Sequence, residues 1–553
     1  TQISDLKEKL ESIRPILVNN VKRHEMLFNA FIGAFTRFAS EKLYFSGTSN
    51  LMYQPEFSDT EKLKELIKIF DDPNKIKEIV AEDNGENQVT AIMPKGTELI
   101  WKDDMAIVTT DVRLSKKEIG KLMVMGPRRM EYNRVLSLMS LISKALDRAD
   151  NGFILMSAML VLLMSIPGIG LFYGGLTRSK NVLSTMEQCL AVFCMAIILW
   201  VIIGYSFAFG PVEGVLGDFF GGFGTMFLAG IDFNSLSGTL AEYTWVIFQG
   251  AFCAISACLI VGATVERVKF YAILIAVGIW IVLSYAPLAH QVWGGGFIDS
   301  VFKSYDFAGG TVVHVNAAVC GLTGAFILGR RHDLGRVAMA PHNLGITYIG
   351  ACLLWIGWLG FNAGSELVAD GISSLAFINT VLCPATAAMT WMVAEWIIFK
   401  KPSTLGTASG VLAGLVAITP ACAFVGPMGA IVIGVASGLA CLWGVHGFKK
   451  FTKVDDSLDV FGVHGIGAIV GGILTGVFCA PSLGGTGFKD GWDSIAGQVY
   501  GQTMSLVVAI VWSLVVSVIA FKIAGLLVGL RVTADEEAEG LDLASHGERG
   551  YNL

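Results

Sequence analysis

Charge is scarce over most of this 553-residue chain. Only 16% of its residues are charged, whereas 53% are hydrophobic. Of the 40 Lys and Arg residues, 23 lie in the first 150 positions and 17 are spread over the remaining 403. The second part therefore cannot cover itself with a solvated charged surface, and this indicates an integral membrane protein. The first part is typical of a separate soluble domain.

Cysteine is absent from the first 188 residues, and an excess of basic charge is absent from the first 150. The ten cysteines that follow lie in apolar runs such as "FCAISACLI" and lack the spacing of zinc ligands or of a disulfide framework. They are typical of small core or lipid-facing residues. In the first 150 residues 23 Asp and Glu balance 23 Lys and Arg, so charge gives no reason to expect nucleic-acid binding. No catalytic constellation stands out, and we predict no enzyme activity, cofactor or metal.

Long apolar runs dominate the rest of the chain. A run of roughly 17 to 25 residues is enough to cross a bilayer. We predict eleven spans, centred on 152–176, 188–210, 243–262, 270–290, 308–329, 343–361, 373–399, 404–423, 427–447, 458–480 and 500–530. The last run is longer than one bilayer needs, so we expect it to tilt or bend.

The loops between these spans alternate in charge. Every second loop is basic, whereas the alternate loops hold only Lys303 and Lys489. The basic loop residues are Arg178, Lys180, Arg267, Lys269, Arg330, Arg331, Arg336, Lys400, Lys401, Lys449, Lys450 and Lys453. Because basic loops stay in the cytoplasm, we predict that the N-terminus lies outside and the tail after Arg531 lies inside. An odd number of spans fits that arrangement.

Two histidines lie inside predicted spans, where an ionisable group is costly and points to function. His314 lies in span 5 and His464 in span 10, and the aspartates Asp306 and Asp459 open the same two spans. Both stretches read Asp, then Gly, then Val-His. Each span ends a set of five, and because five is odd the second set would be inverted relative to the first. A five-plus-five inverted repeat with its key groups near the midplane is a common transporter plan.

The histidine pair has more than one interpretation. A single buried histidine is more often structural, but two at matching places are harder to explain in that way. A metal site would need a third or fourth ligand, and no Cys or carboxylate lies nearby in sequence. We favour a pair that handles water or protons, because imidazole can both donate and accept a proton near neutral pH.

Aromatic residues form a second group. Phe248 and Phe252 are one helical turn apart in "FQGAF". Trp293 lies in "VWGGGF" just beyond span 4, and Phe361 and Ser365 lie in "GFNAGS" at the end of span 6. All but Phe248 should lie toward the outer face. Aromatic faces attract cations and a hydroxyl adds an acceptor, so one interpretation is a cage for a small cation bearing N–H groups. The other is an interfacial aromatic belt.

Residues 149–553 resemble the ammonium transporter family (Amt/Mep/Rh), specifically its bacterial AmtB type. The resemblance covers essentially the whole membrane part and implies an all-α fold and a homotrimer with one conduction path per subunit. The stretches that carry it are "PGIGLFYGGL", "FQGAF", "VERVKF", "HQVWGGG", "DFAGGTVVHVNAA", "PHNL", "GWLGFNAGS", "ITPAC", "VDDSLDVFGVHGIG" and "EGLDLASHGERGYN".

The resemblance also implies roles for individual residues. An outer site formed by Phe252, Trp293 and Ser365 would bind ammonium. Phe252 and Phe361 would form a stacked gate below it. Asp306 would lie beneath the binding site and orient backbone carbonyls.

The twin pore histidines would be His314 and His464. We expect the cation to be deprotonated outside and ammonia to cross the pore, with separate proton transfer making transport electrogenic. A passive ammonia channel and an ammonium receptor with little transport are the alternatives.

The tail and the location follow from the same resemblance. Residues 531–553, "RVTADEEAEGLDLASHGERGYNL", resemble the regulatory C-terminus of the family, which in many members contacts a PII-type signal protein. The acidic run in this segment could equally be a solvated end. We expect a multi-pass protein of the cell inner (plasma) membrane.

The first 148 residues pose a separate question. They combine a polar helical pattern, strands in "ELIWKDDMAIVTTDV" and "IGKLMVMG", and a helix from about 131 to 146. They resemble the C-terminal region of HrcA-family heat-shock repressors, which implies a soluble α+β, GAF-like fold. The DNA-binding winged helix of that family is absent, so we do not expect DNA binding. The domain is either a natural extracytoplasmic sensor or an artificial fusion.

Overall fold

The computed structural model describes residues 97–102, 105–113, 119–127, 147–212 and 214–551. The chain divides into two compact units, Thr1–Asp147 and Arg148–Leu553. In the first unit, β1 (Thr97–Lys102), β2 (Met105–Arg113) and β3 (Ile119–Pro127) form an antiparallel sheet in the order β1-β2-β3. These strands occupy the stretches that predicted them. The predicted helices on either side lie outside the described residues.

Eleven apolar helices follow one another in the second unit. They are α1 (Arg148–Leu176), α2 (Ser179–Phe209), α3 (Glu242–Thr264), α4 (Phe270–Phe302), α5 (Gly310–Leu328), α6 (Leu344–Gly364), α7 (Gly371–Phe399), α8 (Thr404–Ile418), α9 (Pro427–Thr452), α10 (Phe461–Phe478) and α11 (Ile495–Val528). Among the described residues, ten of these helices are long and apolar enough to cross a membrane, and α8 is shorter, with 15 residues.

The shorter helix α8 was predicted as a span over 404–423. It ends at Ile418, and the chain turns at Thr419 and Pro420. The carbonyl oxygens of these two residues accept hydrogen bonds from the N–H groups of Ala308 (3.3 Å) and Phe307 (3.3 Å). The turn is therefore used to bind the segment that leads into α5.

Two short elements complete the second unit. A hairpin of β4 (Leu236–Ser237) and β5 (Leu240–Ala241) lies between α2 and α3. The helices α12 (Ala534–Glu539) and α13 (Leu541–His546) form the tail.

The helix α3 lies at the centre of the bundle. In its most apolar stretch 94% of the residues are buried, against 39% in α2 and in α11, which expose one face to the surroundings. Glycine lets other helices approach closely. A Cβ atom at Gly471 of α10 would lie 2.1 Å from the Ala417 oxygen of α8, and one at Gly350 of α6 would lie 2.3 Å from the Phe172 nitrogen of α1.

Buried ion pairs join several loops at one end of the bundle. Arg331, after α5, lies 2.9 Å from a carboxylate oxygen of Glu266 and 2.9 Å from one of Asp455. Arg178, after α1, also pairs with Glu266 at 3.0 Å. Burial alone would raise the pKa of Asp455, but its hydrogen bonds to Arg331 and the charge of that residue lower it to about 2. The carboxylates therefore stay charged, and breaking one pair would leave a buried charge uncompensated.

The tail docks onto the same end. The Glu537 carboxylate, which is 2% exposed, accepts from Arg531 Nη2 (2.7 Å) and from the N–H group of His332 (2.7 Å). Asp542 accepts from the N–H group of Ser184 at 2.8 Å. The tail is thus a packed element in the described structure, which argues against its interpretation as a solvated end.

Candidate functional site

Three predicted aromatic residues come together at the end of the bundle opposite the ion pairs. The rings of Phe252 and Phe361 are stacked with centroids 4.0 Å apart and planes 14° apart. Trp293 meets Phe252 edge to face at 6.2 Å. Phe252 and Phe361 are fully buried, whereas Trp293 is half-buried. The two stacked phenyl rings therefore lie buried next to a partly accessible indole.

Helical spacing places the remaining members of this group. Phe248 packs on Phe252 one turn away at 4.9 Å and supports it from within α3. Ser365 directly follows α6, one turn after Phe361, and its hydroxyl donates to the Phe361 oxygen at 2.9 Å. Because its only proton is used there, the Ser365 oxygen is left to accept from a ligand.

Asp306 holds the start of α5. Its carboxylate accepts from the four successive N–H groups of residues 309 to 312, at 3.0, 2.6, 2.9 and 3.2 Å. Burial raises the pKa of this carboxyl to about 6, while the four hydrogen bonds act in the opposite direction. Its backbone oxygen accepts from Trp293 Nε1 at 2.9 Å. Asp306 thus fixes both the helix start and the indole above it.

Asp456, rather than Asp459, is the counterpart of Asp306 in the second half. Asp456 accepts from the N–H groups of Val460 (3.1 Å) and Phe461 (2.7 Å) at the start of α10. It lies eight residues before its histidine, as Asp306 does. Asp459, which the sequence pattern paired with Asp306, is bound instead to Lys449 at 2.7 Å. The pairing of Asp459 with Asp306 was wrong because it was based on the shared Gly and Val-His residues. The number of residues between the aspartate and the histidine would have selected Asp456.

The two histidines are in direct contact in the middle of the bundle. Their Nδ1 atoms are 3.2 Å apart, and the rings are stacked with centroids 5.3 Å apart. His314 is 1% exposed and His464 is 5% exposed. His314 and His464, which the sequence places in two separate spans, therefore lie side by side in the structure.

This contact determines which nitrogen atoms of the two rings carry a proton. One Nδ1 atom must carry a proton and donate it, and the other must accept. In two neutral rings, one Nε2 atom then carries a proton and the other carries a lone pair. His314 Nε2 has no hydrogen-bond partner among the described residues. The pair can therefore offer one donor and one acceptor to a molecule beside it.

A narrow cavity lies next to the pair. The volume of this cavity is about 10 Å³, which is room for about one molecule of the size of water. Its lining residues are Met164, Ile169, Phe172, Ile255, Leu259, His314, Leu354, Trp358, Phe361, Leu412 and His464. Apart from the two imidazoles this lining is aliphatic or aromatic, so it suits a small neutral molecule.

Trp358 also lines this cavity, although the sequence pattern did not predict it as a site residue. Its ring stacks on His314 at 5.1 Å with planes 13° apart, and its Nε1 donates to Thr419 Oγ1 at 2.8 Å. Helical spacing could have indicated this role, because Trp358 precedes Phe361 by three residues and a helix puts such residues on one face.

No group of three or more His, Cys, Asp or Glu residues able to hold a metal ion is found in the part of the chain that the structure describes. At the histidine pair the donor set among the described residues consists of two imidazoles.

Ten helices that are long and apolar enough to cross a membrane, among the described residues, indicate a multi-pass membrane protein. The chain belongs to the ammonium transporter family: the model described as Ammonium Transporter Family matches residues 152–551. Members of this family are transporters and not enzymes. A second model, the HrcA protein C terminal domain, matches residues 1–136 and confirms the resemblance of the N-terminal part.

Individual relatives agree with this assignment. An ammonium transporter of Bacillus subtilis is 42% identical over 408 residues, which are 73% of this chain and 99% of the relative. The crystal structure of Saccharomyces cerevisiae Mep2 matches with a TM-score of 0.65 and 31% identity, over 70% of this chain and 88% of that one. A structure named Sensor Amt Protein matches with a TM-score of 0.67 and 27% identity, over 72% of this chain and 98% of that one.

Proposed function

We propose that this protein takes up ammonium across the plasma (inner) membrane by binding the cation outside and conducting ammonia through the pore. Phe252, Trp293 and Ser365 bind the ion. The observation that carries the proposal is the cavity at the histidine pair, which is narrow and apolar except for two imidazoles. An ammonium ion would lose hydration there that such a lining does not replace, whereas neutral ammonia loses far less.

The proton follows a separate route in this proposal. After deprotonation at the outer site, ammonia passes the Phe252–Phe361 gate and the histidines. The 3.2 Å contact between His314 and His464 supports proton transfer between the rings, since each ring can donate at one nitrogen and accept at the other. Transport is then electrogenic. A passive ammonia channel would use the same path without charge movement.

We propose eleven crossings, with the N-terminus outside, the C-terminus in the cytoplasm and a five-plus-five inverted repeat. The Arg331–Asp455 pair supports the count. It holds the loop after α5 and the loop before α10 at one end, so the chain between them crosses an even number of times, and α8 is needed to make four crossings. The equal spacing of Asp306 and Asp456 from their histidines supports the repeat. The basic loops at the end with the ion pairs support the orientation.

The oligomeric state and the domain boundaries are also part of this proposal. We propose a homotrimer of transporter domains (149–530), followed by a regulatory tail (531–553) that a PII-type protein can contact. The buried anchors Glu537 and Asp542 support a tail with a defined docked state. Residues 1–148 form a soluble α+β, GAF-like domain, which is either a natural sensor or an artificial fusion.

Paired flux and current measurements test the transport proposal. In proteoliposomes, a jump in ammonium concentration should give both ammonia accumulation and an inward current. His314→Asp should abolish the current, because the contact between imidazoles is lost. His332→Asp, on an exposed cytoplasmic residue, should leave both unchanged. Flux without current at any ammonium concentration would favour the passive channel.

A receptor with little transport is the second candidate. It is favoured by the likeness to the structure named Sensor Amt Protein. The same measurement separates the two functions: a receptor would bind ammonium, with neither flux nor current rising above that of empty liposomes.

A further inference from the structure

His290, near the outer end of α4, is a buried imidazole between two backbone carbonyl groups. Its Nδ1 atom lies 3.0 Å from the oxygen of Ala208, and its Nε2 atom lies 2.7 Å from the oxygen of Gly217. The residue is 5% exposed. Ala208 is the penultimate residue of α2 and Gly217 lies in the loop that follows, so the ring joins that loop to α4.

The two partners determine how many protons the ring needs. A carbonyl oxygen can only accept, and a neutral imidazole has one N–H group to donate. The other nitrogen would then direct its lone pair at an oxygen within hydrogen-bond distance, which is repulsive. Only the doubly protonated ring donates to both carbonyls at once.

His342 provides a contrast within the same chain. Its Nδ1 atom lies 2.8 Å from the Thr177 oxygen and its Nε2 atom lies 3.0 Å from the Tyr551 hydroxyl. A hydroxyl can donate as well as accept. A neutral ring therefore satisfies both contacts of His342, and contact at both nitrogens does not by itself require a charge.

His290 is also coupled to the outer cation site. It precedes Trp293 by three residues, and its own oxygen accepts from the N–H groups of Gly294 (2.9 Å) and Gly296 (3.1 Å). A Cβ atom at Gly294 would lie 2.7 Å from His290 Nδ1, and one at Gly296 would lie 2.7 Å from the Asp218 oxygen. The glycines after Trp293 are thus required by the close approach of the ring and the loop.

We propose that His290 is a positioning residue for the outer cation site. Through its contacts with Ala208 and Gly217 it holds the loop after α2 against α4 and thereby fixes the indole of Trp293. This inference rests on the proposed function, because it assumes that Trp293 binds the transported cation.

No carboxylate hydrogen-bonds to the ring among the described residues, so the backbone carbonyls are its polar partners. The ionisable groups on the elements packed around it are Tyr205, Asp218, Glu242, Asp299, Asp306 and Lys489. Tyr205 binds Glu242, Asp299 binds Lys489, and Asp306 holds the start of α5. The hold on the loop therefore depends on the two contacts of the ring with Ala208 and Gly217.

The apparent affinity for methylammonium tests the proposal. In proteoliposomes, His290→Phe, which keeps an aromatic ring but cannot donate to either carbonyl group, should raise the KM about 2- to 10-fold with kcat little changed, because the hydrogen bonds to the loop are lost. His290→Gln, whose amide group can still donate to one carbonyl group, should raise the KM less. His342→Phe is the matched control and should retain the wild-type KM.

An unchanged KM in His290→Phe would overturn the proposal. Hydrogen–deuterium exchange gives a readout without transport: residues 217–222 should be less protected in His290→Phe than in the wild-type protein. Equal protection in the two proteins would also overturn the proposal. Absence of transport in the wild-type protein would instead contradict the proposed function.

Discussion

Trp293 differs from the other aromatic residues of the site in its exposure. Phe252 and Phe361 are fully buried, while Trp293 keeps part of its ring accessible and is held by Asp306. Tryptophan has the ring best suited to attract a cation. The indole should therefore determine how tightly ammonium binds, and the phenyl pair should determine how fast the path opens.

Replacing this indole should weaken binding. A cation–π contact contributes about 0.5 to 2 kcal/mol, so Trp293→Leu should raise the KM for methylammonium uptake about 2- to 30-fold. Uptake into proteoliposomes measures this value. Trp396→Leu on α7, where the side chain is 64% exposed, is the control and should leave the KM unchanged. An unchanged KM in Trp293→Leu would place the cation elsewhere.

The sequence was sufficient to find His314, His464 and Phe252, because an imidazole in an apolar span is costly and paired phenyl rings follow helical spacing. It was not sufficient for Trp358 or Asp456. Trp358 resembles any core tryptophan until the fold stacks it on His314. Asp456 lies beside two other aspartates, and only its hydrogen bonds to the start of α10 distinguish it.

At the start of both α5 and α10 an aspartate accepts hydrogen bonds from backbone N–H groups, but the number of these bonds differs. Asp306 accepts from four N–H groups and Asp456 from two. Orphan N–H groups at a helix start must be satisfied when water is excluded. The start of α5, beneath the cation site, is therefore the more firmly held of the two.

Asp306→Asn tests the importance of this helix start. An asparagine offers one acceptor oxygen, and its NH₂ group would face N–H donors, so the variant should lose about 1 to 3 kcal/mol of stability. Thermal unfolding of the purified protein measures this loss, and Asp456→Asn should show a smaller one. Asp299→Asn is the partly exposed control, since it removes only the pair with Lys489. Equal losses of stability in all three variants would mean that the hydrogen bonds to the helix start do not determine the stability of this region.

Considered as a whole, the chain has a sharp boundary at the start of the transporter. The match to the ammonium transporter family begins at residue 152, but the structure needs residues before it. Asp150 accepts from Thr239 Oγ1 at 2.7 Å and from the N–H group of Ala369 at 3.0 Å, and Asn151 accepts from the N–H group of Ala241 at 3.1 Å. The start of α1 thereby joins two loops of the membrane unit.

Removal of residues 1–147 should therefore leave transport intact. The remaining unit keeps Asp150 and Asn151 and covers 99% of the length of the Bacillus subtilis transporter, so we expect the same KM and the same rate in proteoliposomes. Removal of residues 1–151 is the matched control. It deletes both acceptors, leaves partly buried N–H groups without these partners, and should lower the unfolding temperature by several degrees. If the shorter deletion alone altered the rate or its dependence on ammonium, the N-terminal domain would be a sensor that acts on the pore rather than a passive appendage.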